Sequence, residues 1–175
     1  HRDLHSFPTR RSSDLEASVS MDLAKAAVVE RHGKNESIGF GFVKGFGLQG
    51  GAVASTVAHD SHNLLIVGMN DEDMAIAGNA LAESGGGMVA VRDGKVLALI
   101  PLPIAGLMSD RPVEEVAEQL AKVQQAWEDL GCSLVSPFMT MALLSLPVLP
   151  ELRLTNRGLV DTIQFRFVDL LSQSG

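Results

Sequence analysis

Apolar and polar positions alternate in short runs through the first part of the chain, a pattern that predicts strands. Residues 26–32 and 37–43 are two strand candidates, joined by the turn signal Gly33-Lys34-Asn35. In the second run large apolar residues alternate with Gly39 and Gly41. A strand face this bare lets another backbone approach closely. The two runs therefore predict a hairpin with one face open to main-chain packing.

Further strands and three helices are predicted from the rest of the pattern. Residues 52–58 and 64–68 are apolar runs, and Asp93-Gly94 between two more runs is a strong hairpin signal. Helices are expected from Asn70 to Gly85, from Pro112 to Gly131, and across residues 137–146. About six to eight strands and three helices in mixed order predict an α+β (mixed α/β) domain. Its helices should pack on a mostly antiparallel or mixed sheet.

The helix that follows Pro112 has the clearest signature. Its apolar residues form one stripe that should face the core: Val113, Val116, Ala117, Leu120, Val123, Trp127 and Leu130. Pro112 suits a first helical turn. Ser109 or Asp110, in the irregular connection of residues 101–111, is expected to cap the helix, with a contact to another domain as the alternative.

Composition narrows the classes of function. Apolar residues make up 46% of the 175 residues, enough for a core, and the net charge is −7. An acidic domain repels phosphate backbones, so nucleic-acid binding is not expected. The single cysteine, Cys132, allows no intrachain disulfide, which suits a reducing, cytoplasmic setting. No apolar run reaches the length that crosses a bilayer, so no membrane partner is expected.

Residues 1–15, HRDLHSFPTRRSSDL, have neither helical nor strand periodicity. The stretch resembles the translation of a sequencing-library adapter. We therefore expect it to be an artefact, and residues 16–175 to be the native domain. Without it the histidines that remain are His32, His59 and His62.

A polar cluster between two strand candidates is the main candidate site: His59, Asp60, Ser61, His62 and Asn63. One hypothesis places it near an active site or at a domain interface, where it would hold substrate, a catalytic water or a ligand-orienting group. The alternative is a buried polar network that orients a turn. Two histidines and one aspartate fall short of a closed tetrahedral set, so no metal is expected in this chain.

Nine segments, in order, carry a resemblance to a known family: ERHGKN (30–35), VKGFG (43–47), VAHDSHNLLIVG (57–68), NDEDMA (70–75), GGG (85–87), DGKV (93–96), LPIAGLMSD (102–110), PFMT (137–140) and LTNRGLVD (154–161). They resemble the C-terminal domain of adenine deaminases, members of the amidohydrolase superfamily. The resemblance implies hydrolysis of adenine to hypoxanthine and ammonia, at a manganese or iron pair in a (β/α)₈ barrel. The barrel ligands include an HxH pair, which this chain lacks.

Two functions from different classes remain open, the first implied by this resemblance and the second an alternative to it. In the first, the chain is a C-terminal domain whose barrel lies upstream, and which supports the active site but is inactive alone. In the second, it is a non-catalytic module that binds a small ligand or assembles subunits into a homo-oligomer.

Overall fold

The computed structural model describes residues 15–170 of the chain. Of the segment expected to be foreign, residues 1–14 therefore lie outside the described residues. The strands are β1 (Leu23–Val29), β2 (Ile38–Lys44), β3 (Ala52–Ser55), β4 (Leu64–Gly68), β5 (Gly87–Arg92), β6 (Lys95–Pro101), β7 (Leu152–Thr155), β8 (Gly158–Asp161) and β9 (Arg166–Val168). The helices are α1 (Asp71–Glu83), α2 (Val113–Asp129) and α3 (Pro137–Leu143).

Two antiparallel sheets organise these elements. The larger sheet has the strand order β2-β1-β4-β3-β5-β6, and the smaller has the order β7-β8-β9. All neighbouring pairs in both sheets are antiparallel. The α+β class predicted from the sequence is confirmed. The strand expected at residues 26–32 ends earlier, so that Glu30, Arg31 and His32 belong to the following loop.

The larger sheet is buried on both faces. Neighbouring residues of β4 enter opposite clusters: Leu65 joins the one that contains Trp127 of α2, and Ile66 the one that contains Met74 of α1. Each large side chain buried in this way stabilises the fold by about 1.5–3 kcal/mol. The sheet therefore lies between α1 on one side and α2 and α3 on the other.

The smaller sheet packs on the bare face of β2. A Cβ atom built on Gly39 would lie 1.9 Å from the carbonyl oxygen of Thr155, and one on Gly41 would contact Leu154 at 3.4 Å. Leu154 is itself part of the core cluster on the α2 side. The close main-chain approach predicted from the two glycines is confirmed.

Helix α1 begins as its sequence predicts and also fixes the β5–β6 turn. The side chain of Asn70 accepts a hydrogen bond from the Asp73 amide at 2.8 Å. The Asp73 carboxylate, only 3% exposed, accepts from the amides of Asp93 and Gly94. One buried carboxylate thus joins the start of the helix to the predicted hairpin.

Helix α2 forms where it was predicted, but only part of its apolar stripe is buried. Val123 and Trp127 lie in the core, whereas Val113 is 74% exposed, because only the second half of the helix covers the sheet. The predicted cap is wrong. Pro112 occupies the cap position without a side-chain bond, and the Ser109 hydroxyl accepts instead from the nearby Arg111 amide.

Candidate functional site

Several loops meet at one end of the larger sheet, around a cavity of about 760 Å³. They are the connection after β1, the β3–β4 loop, the segment after β6 and the β7–β8 turn. The residues that line the cavity are Glu30, Arg31, His32, Lys34, Asn35, Asp60, Ser61, His62, Asn63, Ala105, Leu107 and Asn156. A second cavity of about 420 Å³ adjoins it and shares Glu30, Arg31 and Asn35. The predicted cluster is thus part of a larger loop site.

His62 is fixed in the β3–β4 loop by its own backbone and ring. Its amide donates to the Ala58 carbonyl at 2.6 Å, and its Nδ1 accepts from the Ala58 amide at 3.2 Å. The proton of the neutral ring therefore lies on Nε2. Burial lowers the pKa of His62, and the neighbouring charges of His59 and Arg31 lower it further. Both the acceptor role of Nδ1 and the lowered pKa favour the neutral ring.

The other four cluster residues are in unlike environments. Asp60 and Ser61 are exposed and His59 is half-buried, with its ring centroid 6.4 Å from that of His62. Asn63 is 5% exposed, and its side-chain oxygen has no hydrogen-bond partner within the described part of the chain. The five residues share the loop between β3 and β4.

Glu30 organises the loop after β1, a role that its sequence position alone did not indicate. Its carboxylate accepts from the backbone amides of His32 at 2.6 Å, Lys34 at 3.1 Å and Asn35 at 3.3 Å. Burial on its own would raise the pKa of Glu30, but these amides outweigh it and hold the pKa below the ordinary value. The turn signal at residues 33–35 was visible in the sequence. The carboxylate that closes the turn was not recognised.

Arg31 and Thr56 tie the loops together through backbone carbonyls. Arg31 donates from Nε to the His62 carbonyl at 2.5 Å and from Nη2 to the Ala105 carbonyl at 2.8 Å. The Thr56 hydroxyl donates to the Gly106 carbonyl at 2.6 Å. These contacts place residues 56–63 and 102–108 in fixed positions around the cavity. The sequence carried no signal for them beyond the residue types themselves.

His62 does not fit the metal pair that the resemblance implies. Its Nδ1 accepts from the Ala58 amide, so Nε2 carries the proton and offers no lone pair to a metal. Within residues 15–170 no group of three or more histidine, cysteine, aspartate or glutamate side chains is arranged to hold a metal ion. No helix in that same range is long and apolar enough to cross a membrane.

The fold and the loop site together define a class of protein. It is an α+β domain in which helices cover both faces of an antiparallel sheet and polar loop residues lie at one end of that sheet. The model of the family described as "Adenine deaminase C-terminal domain" matches residues 2–166. The chain belongs to the adenine deaminase C-terminal domain family.

Three relatives illustrate the similarity, and each is named adenine deaminase. The protein from Moorella thermoacetica is 80% identical over 156 residues, which are 89% of this chain and 26% of the relative. The protein from Clostridium botulinum (strain ATCC 19397) is 61% identical over 160 residues, 91% of this chain and 27% of the relative. The protein from Brucella melitensis is 58% identical over 154 residues, which are 88% of this chain and 26% of the relative. The chain thus spans about a quarter of the length of these relatives.

Proposed function

We propose that the chain is the C-terminal part of an adenine deaminase, and that the longer polypeptide hydrolyses adenine to hypoxanthine and ammonia. Family membership and the names of the similar proteins support this proposal. We propose that the divalent metal that the resemblance implies, manganese or iron, belongs to the barrel domain of the longer polypeptide. The isolated chain is expected to be inactive.

The observation that carries the functional role of this domain is the convergence of polar loops on one cavity. His62 lines the cavity with its ring proton on Nε2, and Arg31 holds the His62 backbone in place. We propose that this end of the sheet faces the active site of the longer protein. Its part in the chemistry is to orient substrate or a catalytic water rather than to bind metal.

The experiment replaces His59 or His62 by alanine in the longer polypeptide and measures adenine deamination. We expect kcat to fall while circular dichroism and the melting temperature stay close to wild type. Lys95→Ala is the control, since Lys95 lies at the opposite end of the sheet, paired with Arg92. Unchanged kinetics in both histidine variants would contradict the proposed active-site role.

A second candidate function, assembly of subunits, is favoured by exposed apolar residues at the β6 edge. Val96 and Leu97 of this edge strand are 46% and 45% exposed, and Val113 and Leu120 of the adjacent α2 are also exposed. Exposed apolar side chains are typical of interfaces where they form a contiguous patch. Sedimentation of the chain tests the idea: self-association that Val113→Glu abolishes would support it, and a monomer at high concentration would not.

Two further expectations belong to the same proposal. The longer protein is placed in the cytoplasm, where a single free thiol is unexceptional. Residues 1–15 are proposed to be foreign to the native protein. Resequencing of the gene around the codon for Glu16 tests this, and recovery of the same fifteen residues in the gene would refute it.

A further inference from the structure

Arg31 is held more rigidly than a surface arginine. Its Nε and Nη2 donate to the carbonyls of His62 and Ala105, in two different loops. The backbone of Gly106 lies directly against the guanidinium: a Cβ there would be 2.7 Å from Nη1. Two hydrogen bonds and one close contact therefore fix the plane of the group, while three of its five N–H donors remain available.

No carboxylate of the described residues neutralises this cation. The ion pairs found within residues 15–170 join Lys25 to Asp71, Arg92 to Asp93 and Arg111 to Asp110. Glu30, the neighbour of Arg31 in sequence, uses both carboxylate oxygens for amides of its own loop.

The absence of a carboxylate partner among the described residues matters because Arg31 is partly buried. Arg31 is half-buried, so its cation is partly removed from water, and this burial lowers the pKa of the guanidinium. Charges removed from water are normally compensated by an opposite charge with matching hydrogen bonds. A partner for Arg31 is therefore expected from outside the described chain.

The cavity next to Arg31 offers further donors to such a partner. His62 lines the same cavity, and its ring carries a proton on Nε2 because Nδ1 accepts from the Ala58 amide. The exposed side chain of Lys34 lines the cavity as well. Asp60, an exposed carboxylate that also lines the cavity, repels a negative ligand. We therefore expect the affinity for an anion to be weak and the anion to bind beside Arg31.

We propose that this cavity binds an oxyanion, a carboxylate or phosphate group, with Arg31 as its forked hydrogen-bond partner. A guanidinium matches two oxygens of such a group in one plane. The anion can belong to an acidic side chain in the rest of the longer polypeptide or to a small molecule. This inference does not depend on adenine deamination, and either can fail without the other.

The test titrates the 175-residue chain with inorganic phosphate at constant ionic strength and follows by ¹⁵N NMR the backbone amide resonances of Lys34 and His62, two residues that line the cavity, with the Arg31 Nε–H resonance as an additional probe in the wild type. We expect a saturable shift, with affinity at least about tenfold weaker in Arg31→Gln, because a charge-assisted hydrogen bond contributes more than a neutral one. Arg111→Gln is the control: Arg111 is exposed and adjoins Asp110, so the affinity should not change. Equal affinity in wild type and Arg31→Gln would overturn the proposal.

Arg31→Gln also removes two hydrogen bonds between loops, so the variant could lose binding because it misfolds. A second variant separates the two causes. Lys34→Gln alters an exposed side chain, whereas the backbone amide of Lys34 still donates to Glu30. It should weaken phosphate binding by about two- to threefold with no change in melting temperature. Full phosphate affinity in Lys34→Gln together with an unfolded Arg31→Gln would count against the site.

The longer polypeptide separates the two sources of the anion. If an internal carboxylate occupies the site, phosphate no longer binds there, and Arg31→Gln lowers the melting temperature of the longer protein more than that of the chain. If a small molecule is the ligand, phosphate still binds and Arg31→Gln abolishes binding. A longer protein that neither binds phosphate nor shows this extra destabilisation would refute the inference.

Discussion

Gly39→Ala should force the two sheets apart. The new Cβ would lie 1.9 Å from the Thr155 carbonyl oxygen and 2.9 Å from the Gly158 amide nitrogen. Both are backbone atoms, so rotation of a side chain cannot relieve the overlap. Gly39 is not among the residues with positive φ, and the expected loss therefore comes from packing rather than from backbone strain.

The magnitude follows from how far the smaller sheet must move. Ordinary contact between a methyl group and an oxygen requires a retreat of more than about 1 Å. Overpacking of a well-packed core typically costs about 1–3 kcal/mol, and a clash with backbone belongs in the upper part of that range. In a domain of this size, about 2–3 kcal/mol lowers the melting temperature by roughly 4–12 °C.

Thermal unfolding of the 175-residue chain measures this loss by circular dichroism and by fluorescence of Trp127, the single tryptophan. Gly41→Ala is the matched control. It lies on the same face of β2, and its Cβ would meet only leucine side chains at 3.4 Å or more. We expect its stability to stay within about 0.5 kcal/mol of wild type. Equal melting temperatures for the two variants would refute the packing of the smaller sheet on Gly39.

Three further predictions concern buried polar groups, and urea unfolding measures each. Asp73→Ala should cost about 2–4 kcal/mol, since the buried carboxylate accepts hydrogen bonds from Asn70 and the β5–β6 turn, whereas the exposed Asp71→Ala should cost less than about 1 kcal/mol. Thr56→Val should cost about 1–3 kcal/mol, and Thr56→Ser, which keeps the hydroxyl, clearly less; equal losses would contradict the role of the hydroxyl. The loop amides outweigh burial and lower the pKa of Glu30, so the ionised carboxylate stabilises the fold. This stabilisation is complete above the unfolded pKa of 4.5 and is lost as the pH falls through the lower pKa of the folded state. Glu30→Gln should therefore reduce stability at pH 7 and flatten the decline at acid pH, and an unaltered acid decline would argue against it.

Features determined by residues near in sequence were predictable. Asp93-Gly94 favours a tight turn whatever surrounds it, and Asn70 caps α1 through an amide three residues away. The bare face of β2 was visible because Gly39 and Gly41 alternate with large apolar residues. Local pattern was therefore sufficient for the fold class and the three helices, but it did not locate the ends of β1 and β3.

Features that depend on distant partners were not predictable. Arg31 bonds to carbonyls 31 and 74 residues away, and any residue type can supply a backbone carbonyl. For the same reason the cluster at residues 59–63 could be recognised as polar, while the loops that surround it could not. The stripe of α2 identifies its apolar side, but the pattern does not say how much of that side the sheet covers.

Hypoxanthine formation from adenine is the most direct test of the proposed function. It should be measured with the longer polypeptide, both wild type and His62→Ala, and with residues 16–175 alone. The account predicts deamination by the longer wild-type protein, a reduced kcat in His62→Ala, and no activity in residues 16–175. Wild-type kinetics in the folded His62→Ala protein would contradict an active-site role for this end of the domain, and deamination by residues 16–175 alone would contradict the assignment of the chemistry to the rest of the polypeptide.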